Sequence, residues 1–532
     1  MAILLPQPRR VTTGPGALGV SLAQRPAISI GRGLRAQGYR LAITPLGVRI
    51  EAGDEAGAVY GKMTLRQLAR QFPREIPSCE IEDWPDFPVR GVMLDISRDK
   101  VPTMETLFSL VDDLAEWKIN HLELYTEHTF AYRNHRVVWA EASPMTAEEI
   151  RQLDVYCHER FIELVPNQQS FGHFERWLKH PRYQHLGFVG RARLQPGRGS
   201  PGGSPSHNLD PANPQCIELL KELYSELLPN FTSRKFNVDC DETYGIEGTV
   251  YLDFLLKIHE LVRHHGRTMQ FWGDIVLKHP ELVEKLPRDA VVLEWGYEAG
   301  HPFDEHGAML KRAGLTFYVC PGTSSWNSIT GRTENCLANL RNAAANGLKH
   351  GAAGFLNTDW GDKGHWQYLP FSYLGLAAGA ALSWCSESNS SRDFIDALDV
   401  HVFRDSAQVM GRLAYDLGNA YLYTGCPVQN ATALFQRLFS PEPPEISEKD
   451  LRDTADYIWD VLAPLPRARM RRSDAAVVLR EFSQAARLLL AACRPSLADG
   501  RCIREEHEGC WLARNRPGGL RDSLGKIRLK VA

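Results

Sequence analysis

VRGVMLDISRDKVPTMETLFSLVDDLAEWKINHLELY, residues 89–125, decides the fold. It opens on a short apolar run, VRGVMLD, and passes into METLFSLVDDLAEWK, whose apolar residues recur at helical spacing. It then returns to a second short run, INHLELY. Runs of this kind fit strands buried on both faces, and the amphipathic segment between them fits a crossover helix joining parallel strands. The unit recurs down the chain. FIELVPN, KFNVDCD, TMQFW, VVLEW, LTFYVC and AAGFLNT bring the runs to eight, with helical segments such as AEEIRQLDVYCHER, PQCIELLKELYSELL and ENCLANLRNAAANGL between them. Eight βα units in roughly 300 residues is the pattern of an α/β protein built on a (β/α)8 TIM barrel. A doubly wound open sheet is the competing arrangement. No GxGxxG follows the first run and eight is a natural closure number, so the barrel is preferred.

Working outward, residues 88–389 are assigned to the barrel. In residues 1–87, YRLAIT and GVRIEA alternate as strands joined by a turn, and EAGAVYGKMTLRQLARQF is helical. That is an N-terminal α+β accessory domain, closed by the proline-punctuated DWPDFPV. In residues 390–532 the strands stop. AQVMGRLAYDLGNAYLY, EKDLRDTADYIWDVL and AVVLREFSQAARLLLAACR read as an all-α C-terminal region, suited either to packing on the barrel or to forming a homodimer. The tract GRGSPGGSPSH, residues 197–207, reads as a mobile loop at the barrel mouth or as a tolerated insertion.

Composition narrows the partners. The 532 residues imply two to four domains. Lys+Arg of 61 against Asp+Glu of 64 gives a net charge of −3 with no basic run, which argues against a nucleic-acid or polyanion partner. The start MAILLPQPRRV has neither a charged n-region nor a small-residue cleavage site, and no apolar run reaches the ~18 residues of a membrane span. The 11 cysteines are scattered without a CxxC pair or zinc spacing, as for reduced thiols. A cytoplasmic protein without metal or cofactor is expected.

Barrel enzymes place their chemistry on the loops after the strands. Those positions hold Asp95 and Arg98, Glu127 and His128, Asn167, Gln168 and His173, Asp241 and Glu242, and Trp272 and Asp274. They continue with Trp295 and Glu298, Ser324, Ser325, Trp326 and Asn327, and Asp359, Trp360 and Asp362. Singly, each tryptophan fits a core position. Four of them (Trp272, Trp295, Trp326 and Trp360) among several acids on one rim fit a sugar pocket, because pyranose C–H faces pack on indole and hydroxyl edges meet carboxylates.

FNVDCDETYG, residues 236–245, sets three carboxylates within four residues. Most glycosidases place two carboxylates ~5 Å or more apart across the scissile bond. Adjacent residues alternate faces of a strand and straddle a sugar poorly. A different division of labour suits them, in which Glu242 protonates the leaving oxygen and Asp241 holds a substrate group that acts as nucleophile. An exposed acidic turn, or a helix N-cap formed by Asp241 and Thr243, fits the spacing equally well.

At these residues the sequence resembles glycoside hydrolase family 20, the β-N-acetylhexosaminidases, over roughly residues 1–390. AGAVYGKMTLRQL is similar to part of that family's accessory domain, and FPVRGVMLDISRDKVP to its first barrel strand. FGH at 171–173 stands for its PGH, Trp360-Gly361-Asp362 for its Trp-Gly-Glu, and NVDCDE for its His-x-Gly-Gly-Asp-Glu. The resemblance implies Glu242 as general acid/base and Asp241 as the residue orienting a 2-acetamido group, whose oxygen attacks the anomeric carbon to give an oxazolinium intermediate. It implies Arg90 on the sugar's 3- and 4-hydroxyls and Asp362 on the 4- and 6-hydroxyls. His173 would support the acidic pair, while Trp272, Trp295 and Trp360 would line the acetamido pocket. Trp326 joins the substrate-binding set by its place on the rim.

The departures are specific. Asn237, Asp239 and Cys240 replace the motif's histidine and glycines, Glu127-His128 replaces a pair of aspartates, and YVCPGTSSWNS replaces a Tyr-Leu-Asp segment. The implied activity is exo-acting, retaining release of terminal β-linked GlcNAc or GalNAc from a small glycan. Two alternatives stay open. One is a glycosidase for a non-acetylated β-hexosaminide with Asp239 as nucleophile, and the other is a non-catalytic sugar-binding protein on a degenerate barrel.

Overall fold

Alternation in the first eighty residues builds a sheet with one covered face. β1 (Arg10–Gly19), β2 (Ala27–Ile30), β3 (Tyr39–Thr44), β4 (Gly47–Ala52) and β5 (Glu75–Asp83) pair in the order β1-β5-β3-β4-β2. This is a computed structural model, and it describes residues 2–23, 25–31, 33–189 and 207–528; the Gly/Ser/Pro tract at 197–206 lies outside them. Tyr39, Leu41 and Ile43 of β3 are buried with Val48 and Ile50 of β4. They pack on helix α1 (Glu55–Gln71), which starts where the Asp54 carboxylate accepts the Gly57 amide.

The barrel strands are β6 (Val89–Asp95), β7 (His121–Tyr125), β8 (Glu163–Val165), β9 (Lys235–Asn237), β10 (Thr268–Trp272), β11 (Val291–Trp295), β12 (Thr316–Cys320) and β13 (Gly354–Asp359). All are parallel, in the order β8-β7-β6-β13-β12-β11-β10-β9, and a bridge between Asn167 and Asn237 closes the ring. VRGVMLD, TMQFW and VVLEW are strands over their whole length. FIELVPN and KFNVDCD keep only three residues each in regular strand. Met93, Tyr125, Leu293, Tyr318 and Leu356 point inward, whereas Val92, Leu94, Leu122, Val292 and Phe317 meet the helical shell.

That shell's apolar cluster continues into the C-terminal helices through Phe403, Phe482 and Leu489. Arg472 donates to Asp113 at 2.9 Å, and Trp366 stacks on His507 at 3.7 Å. The C-terminal region therefore packs on the barrel. Residues 3–7 thread between the other parts. The Ile3 amide donates to Gln71, and its carbonyl accepts from His401. Leu5 pairs with Gln67, Arg392 donates to the Leu4 carbonyl, and Gln7 pairs with Asn389. Among the described residues, no helix is long and apolar enough to cross a membrane.

One expectation fails here. Arg90 is the second residue of β6, at the barrel's N-terminal end, and is 0% exposed. Its guanidinium donates to the carbonyls of Lys118 and Phe87, to Gln37 and to the Tyr60 hydroxyl, sealing the barrel base against the accessory domain. At ~3.3 Å per strand residue it sits well below the mouth, where sugar hydroxyls would lie.

Candidate active site

The chain leaves β9 through a turn that breaks strand alternation. Asp239, Cys240 and Glu242 have φ of 57°, 68° and 50°, in the left-handed region that favours glycine. Two of these are the positions where the resembled motif has glycines, so the backbone geometry stays while the side chains differ. The strain costs about 1–2 kcal/mol per residue. Facing this turn is Gly172 of FGH, where an added Cβ would lie 2.4 Å from the Asp241 carbonyl oxygen. A glycine there lets the third and fourth loops touch.

This close approach brings His173 over the acidic pair. Its Nε2 is 3.4 Å from Asp241 Oδ2 and 3.4 Å from Glu242 Oε2. Asp241 is 6% exposed, whereas the Glu242 side chain is 35% exposed. Gln169 pins the loop with one amide: its Nε2 donates to Asp241 at 2.7 Å, and its Oε1 accepts from the Cys240 amide at 2.9 Å. Burial would raise the Asp241 carboxyl, but His173, Gln169 and Arg98 outweigh burial and hold it at about 2. Burial likewise disfavours the His173 cation, yet Asp241 lifts it to about 9. Near neutral pH the pair is carboxylate and imidazolium. Asp274, which accepts the Glu242 amide at 3.3 Å, is pushed up to about 7 by burial and by Asp241.

The arginine at the mouth is Arg98, not Arg90. Arg98 Nη1 meets Asp95 at 3.1 Å, and its Nε lies 3.5 Å from Glu127 and 3.8 Å from Asp362. Its guanidinium lies over the rings of Tyr125 and Trp360, at 4.6 Å and 4.8 Å. Asp95 also accepts the Gly361 amide at 3.0 Å, so the first and eighth loops are tied together. Asn327 Nδ2 lies 3.4 Å from the Asp362 carboxylate. Arg98 and Asp362 thus share one rim with His173.

The aromatic residues form a connected wall. Trp360 donates to the Tyr297 hydroxyl at 2.7 Å. Tyr297 stacks on Trp295 at 5.2 Å and meets Trp326 edge-on at 4.9 Å. Trp326 is buried and its indole N–H goes to Asn430 of the C-terminal region at 3.0 Å, so it supports Tyr297 and offers solvent no face. Tyr297, Tyr125 and Gln169 are site residues that sequence reasoning missed. A signal existed for Tyr297, since Trp295-Gly296-Tyr297 carries the strand's alternation past its last residue.

Of the substituted motif residues, Asp239 and Asn237 face the barrel interior, whereas Cys240 packs in the shell cluster. Asp239 is 0% exposed, and its Oδ1 accepts from Trp272 Nε1 at 2.7 Å and from Asn167 at 3.1 Å. Burial, then the charges of Asp241 and Glu123, push its carboxyl well above the ordinary range. Fully buried, with its Oδ1 held by two donors, Asp239 is out of a sugar's reach as a nucleophile, which corrects that expectation. Asn237 donates to Glu123 at 2.8 Å, and the Cys240 thiol lies against the Val238 carbonyl.

Histidines and acids also converge elsewhere. Glu294 accepts from His301 at 2.6 Å and from His306 at 2.8 Å, and His207 pairs with Glu175 beside His173. These groups hydrogen-bond to one another, and spacing in the sequence shows neither cluster.

Residues 10–84 match the model of glycosyl hydrolase family 20, domain 2, and residues 87–247 that of the family's catalytic domain. These two stretches belong to glycoside hydrolase family 20. Among relatives of this chain, a beta-hexosaminidase from Akkermansia muciniphila is 26% identical over 289 residues, 46% of this chain and 58% of that protein. A lacto-N-biosidase from Bifidobacterium bifidum is 22% identical over 289 residues, 50% of this chain and 24% of that protein. The chain spans less than two thirds of either relative's length. A Flavobacterium johnsoniae chitobiase superposes with a TM-score of 0.60 at 18% identity, covering 98% of both chains. A family 20 exo-β-N-acetylglucosaminidase from Vibrio harveyi gives 0.60 at 17% identity, covering 77% of this chain and 76% of that one. At these identities the likeness speaks to the fold, and in the Flavobacterium protein it extends across the C-terminal region.

Proposed function

We propose that this family 20 chain is an exo-acting, retaining β-N-acetylhexosaminidase that removes terminal β-linked GlcNAc or GalNAc from small glycans by substrate-assisted catalysis. The observation that carries this reading is the asymmetry of the acidic pair under His173. Asp241 is buried and held as a carboxylate, while Glu242 is open to solvent and free to meet a leaving oxygen. A fixed anion beside a more open carboxyl suits orienting the acetamido N–H and stabilising positive charge as the acetamido oxygen attacks. Glu242 gives its proton to the leaving group and recovers it from the water that opens the oxazolinium. Arg98 and Asp362 take the hydroxyl-binding roles, with Arg98 in place of Arg90. Indoles and Tyr297 supply the apolar wall. The beta-hexosaminidase relatives favour the same reading, and we propose a cytoplasmic setting from the reduced-thiol composition.

The test is release of 4-nitrophenol from β-GlcNAc, β-GalNAc and non-acetylated β-glucosaminide derivatives. Turnover confined to the N-acetyl sugars is expected, with kcat losses of about 100-fold or more in Glu242→Gln and Asp241→Ala. Turnover of the free amino sugar alone would overturn the acetamide mechanism.

A further inference from the structure

The acid that protonates a leaving oxygen stands beside the leaving group, so whatever flanks Glu242 on the solvent side meets the departing part of the substrate. Two residues on, Tyr244 donates its amide to the Glu242 carbonyl at 2.7 Å, and this tight turn swings its side chain back toward the acid. The phenol lies against the Glu242 carboxylate, with Asp274 and Asp241 also near. Tyr244 is nonetheless 62% exposed. A single exposed ring is ordinary on a protein surface; this one is fixed as well as exposed. It packs on the His207 ring at 5.4 Å and a 37° tilt, and its carbonyl accepts from Asn208 at 2.9 Å. His207 is itself held by Glu175 and packs edge-on against His173 at 4.5 Å. By contrast, Trp272 and Trp360 are buried in the wall assigned above to the non-leaving sugar, and Trp326 is buried behind Tyr297.

We propose that Tyr244 is the platform for the leaving group, and that this chain prefers N-acetylhexosaminides whose leaving group offers a ring face, the C–H face of a second pyranose or an aryl ring, over alkyl glycosides. This rests on the activity proposed above. An aromatic face contributes to a stacked ring and offers nothing comparable to a methyl group.

The experiment compares N,N'-diacetylchitobiose, 4-nitrophenyl β-GlcNAc and methyl β-GlcNAc as substrates of the full chain, wild type, Tyr244→Ala and Tyr244→Phe. In Tyr244→Ala, the kcat/KM ratio of either ring-bearing substrate to the methyl glycoside is expected to fall about five- to tenfold, chiefly through KM. Tyr244→Phe keeps the ring and is expected to keep the ratio. An equal loss on all three substrates in Tyr244→Ala would overturn the platform while leaving the activity standing, as would a Tyr244→Phe variant that behaves like Tyr244→Ala. A wild-type chain that cleaves none of the three would overturn the activity and the platform together.

Discussion

At position 239 a carboxyl group stands where small residues let loops approach, and it has become part of the barrel's internal hydrogen bonding. Because its Oδ1 serves as the acceptor for two N–H donors, an amide oxygen can replace it. Asp239→Asn should unfold in urea within about 1 kcal/mol of wild type and keep the pH profile of kcat/KM. Asp239→Ala removes the acceptor for the Trp272 indole and the Asn167 amide, at about 1–3 kcal/mol for each donor left bare, and should raise KM by displacing Trp272. A second prediction concerns His173. Its folded pKa of about 9 lies above the ~6.5 of a free histidine. Its stabilising contribution is therefore complete below ~6.5 and is lost as pH rises through about 9. Asp241, at about 2 in the fold, contributes fully above ~3.9 and loses that contribution as pH falls through about 2. The stability gap between wild type and His173→Gln should thus be widest between pH ~3.9 and ~6.5 and close through pH 9, as denaturant midpoints across that range would show. The wild-type kcat/KM should also carry an alkaline limb near 9 that the variant lacks.

Among the elements, the third and fourth loops depend on one missing side chain. Gly172→Ala sets a Cβ against the Asp241 carbonyl oxygen, backbone that cannot swing aside. It should cut kcat by about 10- to 100-fold through misplacing the acid pair, with a far smaller shift in thermal midpoint. The strands themselves were legible because parallel strands buried on both faces read as apolar runs. The turn after β9 was not, since left-handed Asp239, Cys240 and Glu242 carry no glycine to announce it. Arg90 was misplaced although the information was present. As the second residue of VRGVMLD it had to lie at the strand's beginning, and the rule that barrel chemistry gathers at strand ends already selected Arg98.

Across the whole molecule, the C-terminal region reaches the rim through Asn430. It accepts the Trp326 indole N–H and gives its own amide to Glu298 at 2.7 Å. Asn430→Ala should raise KM several-fold, on the order of 1 kcal/mol for the lost acceptor, with kcat little changed; steady-state kinetics on an aryl N-acetylhexosaminide would show it. Nothing local marks this residue, which lies 104 positions from Trp326 and 132 from Glu298. Long-range pairing of this sort has no periodicity to read. The threading of residues 3–7 has a consequence for how the protein is made. Their partners Asn389, Arg392 and His401 follow 382 to 398 positions later. At a synthesis rate of about 5–20 residues per second, the leading segment waits ~20–80 s on the ribosome before its final contacts exist. The accessory sheet can form early, but the strap that locks it to the rest waits until residues 389–401 have been made.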